Sequence, residues 1–128
     1  MRVTEHFTAD EYRCKGCPGT CSYSRNGQPL MHVQREAAEK HERFRVILGV
    51  PYSPNSASRC PLHNARVGGA PLSQHRATFT IPSTAFDIPL VAPKADMIRI
   101  AEEVGFTGIG TRYRTFLHVD NRLHRVRF

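Results

Sequence analysis

The stretch Phe116-Leu117-His118-Val119-Asp120 decides how this chain is read, together with the shorter run Ala85-Phe86-Asp87-Ile88 before it. Both are short apolar runs interrupted by a polar residue, the composition of strands rather than helices. Side chains alternate across a strand, so Phe116, His118 and Asp120 share one face while Leu117 and Val119 share the other. One face is therefore core-seeking, and the other gathers a histidine and a carboxylate. Asp87 needs a partner as well, because an unpaired carboxylate inside an apolar strand is costly.

Downstream, Gly108-Ile109-Gly110 and the segment Leu123 to Phe128 read as further strands of an antiparallel sheet, with Asn121-Arg122 near a turn. Upstream, Val33, Ala37, Ala38, Phe44, Ile47 and Leu48 recur at helical spacing and predict a helix within 31–48. Gly49 and Pro51 stop it. Pro93 in a first turn, then Met97, Ile98, Ile100, Ala101 and Val104, closed by Gly105, predicts a second long helix. Pro61 to Val67 predicts a short helix before Gly68-Gly69, and Thr8 with Glu11 reads as a capping box opening another. Helices around a small antiparallel sheet make an α+β domain. From Cys14 to Pro29 the sequence is a loop of Cys, Gly, Pro, Ser and Asn that cannot build a core alone.

The chain has 128 residues, a length that suits one domain over 1–128 rather than two small cores. Hydrophobic residues at 40% and charged residues at 23% exclude a disordered tail and a membrane protein. No apolar run approaches the ~20 residues of a spanning helix. Met1 to Glu11 is charged and mixed, unlike a secretory signal, so synthesis in the cytoplasm without a signal peptide is expected. Eighteen Lys and Arg against eleven Asp and Glu leave a charge of +7, which favours polyanionic partners such as nucleic acid or the anionic polymers of a cell wall. No DNA- or RNA-binding motif is present, so specific nucleic-acid recognition is not expected.

Three residues stand out as metal ligands by context: His75 after the turn-rich run Gly68 to Gln74, Asp87 in its strand, and His118 in its strand. Taken singly, a strand histidine is more often a hydrogen-bonded structural residue, and a lone buried aspartate usually caps or pairs. Only their joint placement lifts them above that reading.

The run Ser58-Arg59-Cys60-Pro61-Leu62-His63-Asn64-Ala65-Arg66-Val67-Gly68-Gly69-Ala70-Pro71-Leu72-Ser73-Gln74-His75, followed by Ala85-Phe86-Asp87-Ile88 and Phe116-Leu117-His118-Val119-Asp120, resembles the zinc D-Ala-D-Ala carboxypeptidase family. That group includes phage endolysin peptidases and is related in fold to the hedgehog signalling domain. The opening Phe7 to Tyr12 with its following cysteines is similar to the start of many phage-type members. The resemblance implies a hedgehog/DD-peptidase fold and a catalytic zinc on His75, Asp87 and His118, with one position left for water. It implies that Arg59 lies beside the site and stabilises a substrate carboxylate or the developing oxyanion, the alternative being a surface arginine. Ser73 and Gln74 are expected to shape the loop carrying His75 and to border the substrate, with Ser73 bonding locally to backbone.

The chain departs from the family pattern twice. Eleven residues, Arg76 to Phe86, separate His75 from Asp87, where family members usually have a shorter spacer. The ligand pair survives if Ala77 to Ser83 bulges outward as an inserted loop, expected beside the substrate groove. Related branches also place a proton-accepting residue just before the last histidine, where this chain has Thr115 and Phe116. Asp120 is the replacement base on this reading; the equal alternative is a carboxylate that orients a ligand.

Cys14, Cys17 and Cys21 form C-x2-C-x3-C, with Cys60 far downstream beside His63. A second, structural zinc on these four cysteines would pin the Gly/Pro loop onto the segment carrying Arg59, with His63 as substitute ligand. Two disulfides, unpaired thiols or an iron–sulfur cluster are the alternatives. The expected function is a monomeric zinc peptidase that cleaves stem or cross-link peptides of peptidoglycan, acting on the cell wall after holin-type release. Its rivals are a catalytically silent zinc-binding module of the same fold and a basic zinc-finger protein binding nucleic acid.

Overall fold

The computed structural model describes residues 1–16 and 28–128. Helix α1 spans Ala9–Tyr12, α2 Arg35–Leu48, α3 Pro61–Arg66 and α4 Lys94–Glu103. Strands β1 Ala85–Pro89, β2 Gly108–Gly110, β3 Phe116–Asp120 and β4 Val126–Arg127 form one sheet in the order β1-β3-β2-β4. The class is α+β.

The sheet is mixed rather than wholly antiparallel. β3 pairs antiparallel with β1 and with β2, so both its edges are taken. The chain leaving β3 reverses direction and finds its free edge on the far side of β2, and a strand antiparallel to β3 is there parallel to β2. Val126 donates to the Thr107 carbonyl at 2.8 Å and Phe128 to the Ile109 carbonyl at 3.1 Å.

Helix α2 starts at Arg35, later than the apolar spacing predicts. Val33 is extended and forms a parallel bridge with Ser83, and Gln34 donates to the Ser83 carbonyl at 2.8 Å, so this stretch is claimed by strand-like pairing. The buried stripe of α2 is Ala37, Ala38, His41 and Phe44, whereas Ile47 is exposed. Gly49 ends the helix at φ +73°, a left-handed cap that favours glycine.

His41 is the core residue that apolar counting misses. Its Nδ1 lies 2.6 Å from the Tyr12 hydroxyl and its Nε2 2.8 Å from the Tyr52 hydroxyl. The ring is sandwiched between Phe7 at 4.1 Å and Phe86 at 4.2 Å. A neutral imidazole has one donor and one acceptor, and the two phenols satisfy both. Burial alone pushes its pKa down to about 3.

Phe86 and Ile88 of β1, Leu117 and Val119 of β3 and Ile109 of β2 join one core with Phe44, Met97 and Ala101 of the helices. α2 packs on α4, and α4 on β3. The helices thus cover the apolar face of the sheet, which leaves its opposite face, bearing Asp87, His118 and Asp120, available for chemistry.

At the N-terminus, the Glu11 carboxylate accepts from the Thr8 backbone N–H at 3.0 Å and from the Thr8 hydroxyl at 3.2 Å, which fixes the start of α1. Among the described residues no helix is long and apolar enough to cross a membrane.

Candidate metal centre

Antiparallel pairing of β1 with β3 sets Asp87 directly opposite His118. His75 comes from a loop, but the loop is tied to the sheet. The segment before α3 runs along the outer edge of β1, where Ser56 bridges Asp87, and then bridges Arg76 through Arg59. Arg59 donates its N–H to the His75 carbonyl and Ala77 donates to the Arg59 carbonyl, each at 2.8 Å. Residues 55–59 therefore act as a splint between β1 and the His75 loop.

His75, Asp87 and His118 come together as buried residues whose ligand atoms all lie within 4.8 Å of one another. His75 donates Nδ1–H to the Ala57 carbonyl at 2.8 Å, which turns its Nε2 lone pair toward Asp87 Oδ1 at 3.0 Å. His118 donates Nε2–H to Asp120 Oδ2 at 2.7 Å, which turns its Nδ1 lone pair toward the same Oδ1 at 3.2 Å. With both tautomers set this way, three acceptors converge with no donor between them. Such a convergence is stable only around a positive charge, a metal ion or a shared proton.

The electrostatics differ between the two histidines. Burial pushes the His75 pKa down, only partly opposed by Asp87, so this imidazole stays neutral as a ligand must. Burial also opposes charge on His118, but Asp120 and Asp87 outweigh it and hold its pKa above the ordinary value. For Asp87, burial raises the pKa, yet His118 and His75 hold it well below the usual carboxylate range. Two imidazoles and a carboxylate are a donor set suited to zinc. A second group, Glu5, His6 and Glu42, is mostly exposed, and its His6 ring is hydrogen-bonded to the Glu42 carboxylate.

Asp120 is fully buried and its oxygens are saturated. Oδ1 accepts from the Arg122 backbone N–H at 3.1 Å and from Arg122 Nε at 2.8 Å; Oδ2 accepts from Arg122 Nη2 at 2.5 Å and from His118. Although burial raises its pKa, Arg122 and His118 bring it down to about 2. Gly108, opposite Asp120 in the ladder, makes room for this carboxylate: a Cβ there would lie 2.0 Å from Oδ1.

Arg59 donates from Nε to the Ser56 hydroxyl at 3.1 Å, from Nη2 to Asp87 Oδ2 at 3.3 Å and from Nη1 to Asn64 Oδ1 at 3.5 Å. Buried Asn64 also donates to the Ala70 carbonyl at 2.9 Å, linking α3 to the His75 loop. Ser73 Oγ accepts from the His75 N–H at 3.2 Å, and Gln74 Oε1 accepts from the Thr84 hydroxyl at 2.8 Å. Both residues line a cavity of about 620 Å³ that opens onto His75, Asp87 and His118. Its opposite wall carries Arg112, Tyr113, Phe116, Arg122 and Phe128, and Asp87 is the one carboxylate side chain among the described lining residues.

The segment Ala77 to Ser83 is anchored at both ends, by Ala77 to Arg59 and by Ser83 to His32, and closes on itself through Thr78 and Ile81. It bulges outward. None of it lines the cavity, because pairing with residues 32–34 draws it away from the groove where the spacing placed it.

Cys14 and Cys60 are both buried, and the Cys60 N–H points at Cys14 Sγ at 3.5 Å. Cys17 and Cys21 lie outside the described residues. Ala57, Asn64, Gly108, Arg112 and Arg122 border or support the site without standing out in the sequence. The visible signals were Gly108-Ile109-Gly110, glycines where a strand prefers side chains, and an arginine two positions after Asp120.

No curated protein matches the chain. Among protein-family models, one for peptidase M15 matches residues 5–120, a span that holds α1 through β3 and with them His75, Asp87, His118 and Asp120. With a model covering most of its length and a His/Asp/His group fit for zinc in its centre, the chain belongs to the peptidase M15 family of zinc peptidases.

Proposed function

We propose that this protein hydrolyses amide bonds in the stem or cross-link peptides of peptidoglycan, as a D-Ala-D-Ala carboxypeptidase or an endolysin-type endopeptidase. The observation that carries the reading is the convergence of three lone-pair donors from His75, Asp87 and His118 at the floor of a cavity flanked by arginines. His75, Asp87 and His118 would hold a zinc ion, which would supply Lewis-acid polarisation of the scissile carbonyl and an acidified water. Asp120 fixes the tautomer and direction of His118 and, with its oxygens saturated, acts as an orienting carboxylate rather than as the base. Arg59, anchored on three acceptors, presents its remaining N–H groups to the negative charge that builds on the carbonyl oxygen. The charge of +7 draws the protein to an anionic wall.

The second, structural zinc on Cys14, Cys17, Cys21 and Cys60 belongs to the same proposal; the adjacency of buried Cys14 and Cys60 supports it. Metal analysis tests it, since two zinc ions per chain are expected and one removes it.

Digestion of purified peptidoglycan by zinc-loaded protein, with products identified by mass spectrometry, tests the activity. New peptide termini that vanish in His118→Ala are expected. Absence of cleavage across several wall types would establish the second reading, a silent zinc-binding module. The saturated Asp120 and the absence of a free carboxylate side chain among the described lining residues favour that rival.

A further inference from the structure

Three arginines line the cavity, and two of them are committed to the protein's own carboxylates, Arg59 to Asp87 and Arg122 to Asp120. Arg112 forms no ion pair with a carboxylate side chain among the described residues. Its guanidinium instead lies 5.4 Å from the Tyr113 ring centroid and 6.0 Å from that of Phe128. Those rings are fixed in turn: Tyr113 stacks on Phe116 at 4.4 Å, and Phe128 sits 5.2 Å from the His118 ring.

The backbone on either side of Arg112 is fixed too. Thr111 donates its N–H to the main-chain oxygen of Phe128 at 2.6 Å, and Lys94 Nζ donates to the carbonyls of Thr111 at 2.7 Å and Tyr113 at 2.6 Å. An exposed arginine is ordinarily a solvated one. This one rests on an aromatic platform between pinned neighbours, so it has less conformational freedom to lose when it binds an anion. Arg59, by contrast, already uses Nε, Nη1 and Nη2 on Ser56, Asn64 and Asp87.

We propose that Arg112 is a specificity-determining residue that receives a carboxylate of the peptide substrate, making the site selective for peptides with a free carboxylate near the scissile bond. The assignment deepens the peptidoglycan-peptide reading and rests on it. Carboxylate and guanidinium meet through paired charge-assisted hydrogen bonds, which a lysine reproduces only in part.

The test compares soluble stem peptides with the same peptides whose carboxylates are converted to methylamides. Zinc-loaded wild-type protein is expected to show a KM about 10- to 100-fold lower for the acidic form, the range expected for hydrogen bonds to a charged group. Arg112→Ala is expected to lose that preference with kcat changed less than about threefold, and Arg112→Lys to keep part of it. Calorimetric binding of both peptides gives a readout that needs no turnover. An equal loss on both peptides in Arg112→Ala, or an unchanged preference, overturns the assignment. If wild-type protein cleaves neither peptide but binds the acidic one through Arg112, the hydrolase reading falls and the assignment stands. If it neither cleaves nor binds them, both fall.

Discussion

Gly108 and Asp120 face each other across the β2–β3 ladder, and the carboxylate occupies the space a side chain at 108 would fill. Through Asp120 this absence of a side chain governs the direction of His118. Gly108→Ala is therefore expected to push Asp120 off its four donors and to weaken zinc binding about 10- to 100-fold, the usual cost of losing a carboxylate behind a metal-binding histidine. A zinc titration checks it, and unchanged affinity would show that the carboxylate has slack the geometry does not suggest.

Asp120→Asn tests the orienting role of Asp120 against that of a general base. As an orienting group its loss weakens zinc binding by the same order, while hydrolysis at saturating zinc stays within about tenfold of wild type. A general base would cost about 100-fold or more even with the site saturated. The ratio of rates at saturating zinc decides between them.

Zinc is expected to stabilise the fold, because three converging acceptors repel one another until a cation joins them. At a hundredfold excess over its dissociation constant the ion contributes about 3 kcal/mol, which raises the melting temperature by about 10 °C. A chelator should remove the shift, and His75→Ala should abolish it. A melting temperature indifferent to zinc in the wild-type protein would count against the centre.

His41 predicts acid sensitivity. The unfolded chain binds its proton near the ordinary pKa of about 6.5, while burial holds the folded value down to about 3. Stability from this group is complete above pH ~6.5 and falls as pH drops from there toward ~3, by about 2 kcal/mol at pH 5. Urea unfolding at pH 7 and pH 5 measures it. His41→Gln keeps a donor and an acceptor for the tyrosines but cannot titrate, so its loss between the two pH values should be about 2 kcal/mol smaller. An equal loss would place the sensitivity elsewhere.

Much of the site was legible because strand periodicity is local. The alternation in Phe116 to Asp120 puts His118 and Asp120 on one face whatever the rest of the chain does. The two long helices were legible for the same reason, through spacing and the terminators Gly49 and Gly105. The start of α2 was not, because Val33 and Gln34 pair with Ser83, far away in sequence. His41 was passed over because a polar residue on a helix face reads as solvent-facing until Tyr12 and Tyr52 are known to flank it.

The sequence by itself determined the α+β class, the face shared by His118 and Asp120 and the order of the family's blocks, since these depend on neighbours a few residues apart. Tertiary structure decided the rest: the parallel placement of β4, which nitrogen of each histidine is left to bind, the saturation of Asp120 by Arg122 and the outward course of Ala77 to Ser83. Each depends on a hydrogen bond or a free strand edge supplied by another segment. A lone pair acquires its direction only when the donor that fixes the opposite nitrogen is in place.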